Sequence, residues 1–465
     1  MQVNNKISGT DKTQKHKKYI KIPCCTAIYD DYKKPKSIKH APPPGIRHKM
    51  KSANTENMYK TEPEYSFRET LRMPEDIGPG KEKRLENIGY SYRTTGPVCA
   101  LLQLTLAELG FEPGPPDGIF GRHTEAALRA YQKSADLTAD GIAGPATWAS
   151  LEPMLLSHGV YTSIPYSSAI LRLNTEGLRR QFPFARTDAI GGSVRGVPIL
   201  RISLGEGERR VMINAAHHAN EWITSPLLMQ YIFSLCSGFE QDGEADGVPV
   251  RELFARLRMD FVPMVNPDGA DLVTGEIQKG SPAYMAALEM NGQEPFPSGW
   301  KANIRGTDLN LNYPAMWERA RELKFAAGYT TPGPRDYVGP FPLSEPESTA
   351  MAALTVQSGY SLCISLHTQG EVIYWQFENM APLPRSLEIG TAMAEASGYR
   401  LDTPEEFSSY AGFKDWFIMT FGRPGYTPEC GLGKNPLPIS DFDGIYEHLA
   451  PLLTAALQEV AFGGV

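Results

Sequence analysis

Cysteine is scarce in this chain. Six residues in 465 are too few for a disulfide scaffold. Cys24 and Cys25 are adjacent, while Cys99, Cys236, Cys363 and Cys430 are scattered without C-x-x-C spacing. They read as buried thiols, and no cysteine-ligated metal is expected. No apolar run approaches the ~18–20 residues of a membrane-spanning helix. Positive charge is not in excess: the formal net charge is −7, which argues against a nucleic-acid partner. Nor is the chain short of core formers. With 41% hydrophobic residues, 21% charged residues and a mean hydropathy of −0.32, it reads as soluble and globular. At roughly 150 residues per domain, its length allows two or three domains.

What charge there is falls unevenly. Residues 1–60 hold fourteen basic residues against Asp11, Asp30, Asp31 and Glu56, a net charge of +10, so the remaining 405 carry −17. This segment is poor in core formers and contains Pro42-Pro43-Pro44. Residues 1–92 are therefore expected to be a basic, disordered, solvated tail. The apolar stretch from Ile20 to Tyr29 is short, carries Lys21 and lacks a small-residue cleavage site, so no signal peptide is read there. Met58 and Met73 are candidate alternative starts.

A repeat follows. Asp117-Gly118-Ile119-Phe120-Gly121-Arg122-His123-Thr124 recurs 23 residues later as Asp140-Gly141-Ile142-Ala143-Gly144-Pro145-Ala146-Thr147. Asp-Gly predicts a tight turn, and Thr predicts a helix N-cap. Three helices are expected, over about 98–109, 125–135 and 146–152. Leu102-Gln103, Leu109-Gly110-Phe111, Tyr131-Gln132, Gly144-Pro145 and Thr147-Trp148 complete the pattern. The module at 96–152 resembles the peptidoglycan-binding type 1 domain, which implies a three-helix unit that anchors to cell wall. Residues 153–168, with Pro153, Gly159 and Pro165, are expected to form a linker to a larger domain at 169–462.

Within that domain Val197 to Leu204 and Val211 to Ala216 read as strands joined by a turn at 205–208. The second runs into His217-His218-Ala219-Asn220-Glu221. A His and a Glu three apart at a strand end can face one metal, although HxxE alone is weak. A second apolar strand, Cys363 to Leu366, ends in His367. Two His and one Glu make a catalytic zinc set, with the fourth position left for water. Glu429 lies in another apolar stretch, as a general base for the attacking water would.

These pieces occur in a diagnostic order. His218-x-x-Glu221-Trp222 precedes Val265-Asn266-Pro267-Asp268-Gly269 and Gly306-Thr307-Asp308-Leu309-Asn310. Then come Tyr337-x-Gly339-Pro340-x-Pro342-Leu343-Ser344-Glu345-Pro346-Glu347, His367, Asp415-Trp416 and Glu429. Ser344 and Glu347 read as a capping box. Over about 165–462 the chain resembles the zinc metallocarboxypeptidases of the carboxypeptidase A type, an enzyme whose zinc is held by two His and one Glu. The resemblance implies an α/β fold, a mixed sheet of about eight strands flanked by helices, and one Zn2+ per chain. It implies His218, Glu221 and His367 as ligands, with His217 packed nearby as the rival to His218. It implies Asp308 as the carboxylate that orients His218. Lys301 sits where the family usually carries an Arg for the oxyanion, and Arg305 is the alternative cation.

The departures narrow the substrate. The family binds a terminal carboxylate with an Asn-Arg pair and often an Arg inside HxxE. Here the pair is Asn310-Leu311, and the internal residue is Asn220. Ordinary C-terminal trimming loses its guanidinium forks. Lys414, before Asp415-Trp416, occupies the family position at the base of the specificity pocket and is expected to favour a carboxylate-bearing side chain. Asn310, Lys414 and Tyr410 are the candidate substrate-binding residues. Residues 300–315 and 410–418 resemble the γ-D-glutamyl-diamino acid endopeptidase branch. That branch implies cleavage of the γ-D-glutamyl to meso-diaminopimelate bond in peptidoglycan or muropeptides. Some members act inside sporulating bacterial cells, so a cytoplasmic location, or wall association by a non-standard route, is expected. The competing readings are a carboxypeptidase for acidic C-termini and a non-catalytic wall-binding protein.

Overall fold

The computed structural model describes residues 94–377, 380 and 382–463. The basic segment 1–92 and both candidate alternative starts lie outside the described residues.

The repeat builds three helices, α1 (Pro97–Glu108), α2 (Arg122–Ser134) and α3 (Pro145–Ser157). Two buried glutamines hold its two turns in the same way. The Gln103 side-chain amide donates to Asp117 Oδ1 and Thr124 Oγ1, and its oxygen accepts from Gly118 N. Gln132 does the same with Asp140, Thr147 and Gly141. The two threonines were expected to be N-caps. The helices instead start at Arg122 and Pro145 behind Gly121 and Gly144. Each Thr falls in the first turn, where its hydroxyl meets the glutamine.

The expected linker is not an open tether. Helix α3 runs through Pro153 to Ser157, and Tyr161, Ile164 and Tyr166 behind it are buried. The next helix, α4 (Ser168–Gln181), lies against α3. Apolar side chains of the repeat, among them Leu102, Leu128 and Trp148, share one continuous core with those of the larger domain. Polar contacts reinforce the junction. The Val98 N–H, at the start of α1, donates to Glu276 Oε2, and Gln278 Nε2 donates to the Thr95 carbonyl.

The sheet has eight strands: β1 (Arg186–Gly192), β2 (Pro198–Leu204), β3 (Arg209–Ala215), β4 (Leu257–Val262), β5 (Leu362–Leu366), β6 (Val372–Tyr374), β7 (Arg400–Asp402) and β8 (Gly425–Glu429). Their order is β1-β2-β4-β3-β5-β8-β6-β7. Strands β2 and β3 are consecutive in sequence but not paired, because β4 lies between them, antiparallel to β2 and parallel to β3. Gly207 makes that insertion possible: a Cβ there would sit 1.9 Å from the Arg256 backbone carbon.

The pairs β4–β3, β3–β5 and β5–β8 are parallel, so the sheet centre is covered on both faces. Period-two alternation divides each central strand between two cores. Val211, Ile213, Ala215, Leu362, Ile364 and Leu366 face one core, and Met212 and Cys363 face the other. The first core also takes α5 (Thr224–Gln241), α6 (Pro267–Thr274), α8 (Ser386–Ser397) and α10 (Phe442–Phe462). The second takes α7 (Pro346–Ser358) and α9 (Phe413–Phe421). Cys99, Cys236, Cys363 and Cys430 are buried free thiols. Among the described residues no helix is long and apolar enough to cross a membrane.

The capping box is absent. Pro346 opens α7, which makes Glu345 the N-cap and leaves Ser344 one residue too early. Ser344 Oγ donates to Glu345 Oε1, and Glu347 Oε1 accepts from the Val194 N–H.

The α3–α4 contact is testable at Gly177. A Cβ there would sit 2.7 Å from the Leu156 carbonyl oxygen. Alanine is the better helix former by about 1 kcal/mol, yet overpacking costs about 1–3 kcal/mol. Gly177→Ala is expected to lower the melting temperature by a few degrees, at roughly 2–4 °C per kcal/mol. A higher melting temperature in a thermal scan would show that α3 is not held there.

Candidate active site

Three parallel strands deliver the site. β3, β5 and β8 end at the same edge, and each carries one chemical group at or just past its last residue. Past β3 the chain turns at Ala216, whose φ is +52°, and His218 then opens a short turn over Ala219–Glu221. His367 follows β5 directly and bridges Glu429, the last residue of β8. The His367 N–H donates to the Pro428 carbonyl, and the Cys430 N–H donates to the His367 carbonyl.

Asn266 explains its own motif. Its side-chain amide donates to the carbonyls of His217 and Ala302, and its oxygen accepts from Gly269 N. It thus ties the end of β3 to the loop that carries Lys301. The Ala219 N–H donates to the Lys301 carbonyl, and the Lys301 N–H donates to Pro334 O.

His218, Glu221 and His367 converge, with one donor atom from each lying within 4.8 Å of the others. His218 Nδ1 and His367 Nδ1 are 3.1 Å apart, and Glu221 is 2.8 Å from both rings. Ligands 2.0–2.1 Å from a shared tetrahedral centre lie roughly 3.3–3.4 Å apart, a little wider than these contacts, so the donor types suit zinc and the set would open slightly around it. His218 Nε2 faces Asp308 Oδ1 at 3.1 Å, which leaves Nδ1 for the metal. Asp308 is itself fixed by the Asp336 N–H. His217 stands apart: its Nε2 meets the Tyr313 hydroxyl at 3.0 Å.

The electrostatics call for a cation. Burial favours the neutral acids, but the His218 imidazole outweighs it and holds Glu221 and Asp308 well below the usual carboxylate range. Burial likewise opposes charge on His218, yet Glu221 and Asp308 raise it to about 9. Burial lowers His367 and keeps it neutral. A divalent ion would meet these carboxylates in place of a proton on the imidazole.

A cavity of about 400 Å³ adjoins the triad, lined by Asn220, Glu221, Lys301, Arg335, Glu429 and Lys434 among others. Lys301 Nζ is 4.0 Å from Glu221 Oε1. Burial works against its charge, but Glu221, Asp308 and Glu429 raise its pKa above the ordinary value. Burial, and then the Glu221 carboxylate, push Glu429 up to about 8. Asn220 Oδ1 is buried without a hydrogen-bond partner.

Not every predicted residue reaches the cavity. Arg305 points toward Glu345, at 4.0 Å. Asn310 Oδ1 accepts from the Phe413 N–H at the start of α9. Tyr410 is buried edge-on to Phe377. Lys414 is buried and does not line this cavity, with its ammonium 2.5 Å from both the Gln376 carbonyl and Asp415 Oδ1. The neighbouring carboxylate holds that charge in place. Leu311 lies in the second apolar core. Arg335 and Tyr374 line the cavity and went unseen in the sequence. Arg335 sits two residues before the Tyr337 motif, which was its only signal.

Three protein ligands beside a carboxylate and an ammonium are the equipment of a zinc-dependent hydrolase. Residues 175–442 match the zinc carboxypeptidase family, and the chain belongs to it. Residues 95–151 match the peptidoglycan-binding domain family. The chain is 40% identical over 296 residues to gamma-D-glutamyl-L-diamino acid endopeptidase 1 of Lysinibacillus sphaericus, which covers 63% of this chain and 72% of that protein. It is 50% identical over 56 residues to N-acetylmuramoyl-L-alanine amidase CwlM of Mycobacterium tuberculosis, covering 12% of this chain and 14% of the other. Carboxypeptidase A from Helicoverpa armigera shares the fold, with a TM-score of 0.50 at 15% identity, over 82% of this chain and 99% of that one.

Removing the Asp308 carboxylate frees the His218 ring. Asp308→Ala is expected to weaken zinc binding about 10- to 100-fold, measured by chelator competition. Unchanged affinity would show that the contact does not orient the ligand.

Proposed function

We propose that this zinc peptidase hydrolyses the γ-D-glutamyl to meso-diaminopimelate bond of peptidoglycan stem peptides. The observation that carries the reading is Leu311. The residue after Asn310 is packed in an apolar core instead of offering a guanidinium to a substrate terminus. An isopeptide bond inside a stem peptide requires no such clamp. The identity to an endopeptidase of that name and the wall-binding repeat, which shares a core with the peptidase, support the same substrate.

His218, Glu221 and His367 would hold the zinc, and Asp308 would keep the His218 ring turned toward it. When bound, zinc polarises the scissile carbonyl and acidifies water. Glu429 takes the proton of the attacking water and later passes it to the departing amine. The Lys301 ammonium faces the oxygen that gains negative charge, as a point charge rather than a fork. Water adds to the γ-carbonyl carbon, the carbon–nitrogen bond breaks, and the diamino acid leaves with a neutralised amine.

Glu429→Gln keeps the shape and removes the base. Zinc content should stay at one per chain while turnover of L-Ala-γ-D-Glu-meso-diaminopimelate falls about 10²–10⁴-fold. Near-normal turnover would move the base elsewhere. Peptides with free and blocked C-termini provide the second check. Both are expected to be cleaved, and a strict need for a free C-terminal carboxylate would restore the carboxypeptidase reading.

A further inference from the structure

The reaction proposed above releases an amino acid with two carboxylates, yet the family position for a guanidinium is Leu311 and the ammonium of Lys414 is already held. Two cations of the cavity are in a different state. Arg335 donates from Nε to Asp336 Oδ2 at 2.8 Å, and among the described residues its two terminal nitrogens have no partner. Lys434 makes no hydrogen bond or ion pair among the described residues. Exposed arginines elsewhere pair mostly with acids, as Arg129 does with Glu125 and Arg319 with Glu406.

Both unspent cations are anchored to the metal site. Arg335 precedes Asp336, whose N–H donates to Asp308, the carboxylate beside His218. The Asp336 carboxylate is itself held by the buried ammonium of Lys324 at 2.6 Å. Lys434 precedes Asn435, which is doubly bonded to Thr368, the residue after His367. Each is therefore positioned by one metal-bearing strand end and opens onto the same cavity. Lys301 adds a third positive charge there, against the carboxylates of Glu221 and Glu429. Glu221 is a metal ligand in the reading above, so a loaded site is net positive and suits an anion.

We propose that Arg335 and Lys434 are the carboxylate-reading residues of this cavity, binding the carboxylates of a diamino diacid such as meso-diaminopimelate. The inference rests on the proposed reaction for the identity of the ligand. A guanidinium with both terminal nitrogens free can grip one carboxylate by two parallel hydrogen bonds. The ammonium of Lys434 is a point charge for the second.

The test uses the full zinc-loaded chain and two substrates, L-Ala-γ-D-Glu-meso-diaminopimelate and the same peptide with both diaminopimelate carboxylates amidated. Free meso-diaminopimelate, titrated by calorimetry, gives a reading independent of turnover. Arg335→Met, which removes a half-exposed two-pronged donor, is expected to cut the preference for the free acid, and the affinity for meso-diaminopimelate, by about tenfold. Lys434→Met, whose ammonium is exposed and screened, should cost about three- to tenfold. Zinc content should not change. An unchanged preference, or an equal loss on both substrates, would overturn the assignment. Should Arg335→Met fail to fold, Lys434→Met decides, because that side chain holds nothing in place. A wild-type chain that leaves the peptide intact refutes the proposed reaction. The calorimetric arm then still decides the inference: binding that weakens in the variants upholds it, and absence of wild-type binding sinks it.

Discussion

The site depends on one constraint, the parallel register of β3, β5 and β8. Ile213 stands beside Ile364, and Ile364 beside Tyr426. Each strand therefore reaches its end at the same edge, with His218, His367 and Glu429 just beyond or at the last pair. A one-residue slip of β5 would turn His367 to the other face, because side chains alternate with period two. The apolar split between Ile364 and Cys363, one to each core, sets the energetic penalty against that slip. Core packing and metal geometry are thus one requirement on the same residues.

The layer behind the ligands is as specific as the ligands. Asp308 turns His218, and Asp336 holds Asp308 through its backbone. Asn266 fastens the His217 carbonyl to the loop bearing Lys301. These contacts come from motifs that carry no reacting atom, which gives a physical reason for their residue types. A buried carboxylate beside an imidazole is costly unless a proton or metal completes it. Here the Glu221 and Asp308 carboxylates favour positive charge at His218.

Much of this was legible in the sequence, because ligand spacing and strand ends are local. Glu221 and His367 were readable from two apolar runs that end in donors, while the choice of His218 over His217 and the eight-stranded mixed sheet came with the family resemblance that the order of motifs carries. The helical repeat was readable from its 23-residue offset. The illegible parts are long-range. Nothing in Gly205-Glu206-Gly207 announces that β4 will pass between β2 and β3. Gln103 and Gln132 look like ordinary helix residues until their turns fold onto them. Lys414 sits at a position suggestive of specificity, but its pairing with Asp415 and Gln376 depends on how α9 meets a distant loop. The fused core likewise could not be read from Pro153 and Gly159, which signal a break while Tyr161 and Tyr166 restore the contact.

A repeat of the peptidoglycan-binding family that shares a core with its peptidase is not a tethered one. A tether raises local concentration, whereas a packed unit that bound polymer would also fix the direction from which it meets the cavity. Every role assigned to these side chains depends on which bond is broken. The direct measurement is mass spectrometry of L-Ala-γ-D-Glu-meso-diaminopimelate incubated with zinc-loaded protein in 18O-labelled water. The proposed mechanism predicts free meso-diaminopimelate and L-Ala-D-Glu with the label in its γ-carboxyl. Label at any other carboxyl, or peptide left intact while other C-terminal residues are removed, would contradict it.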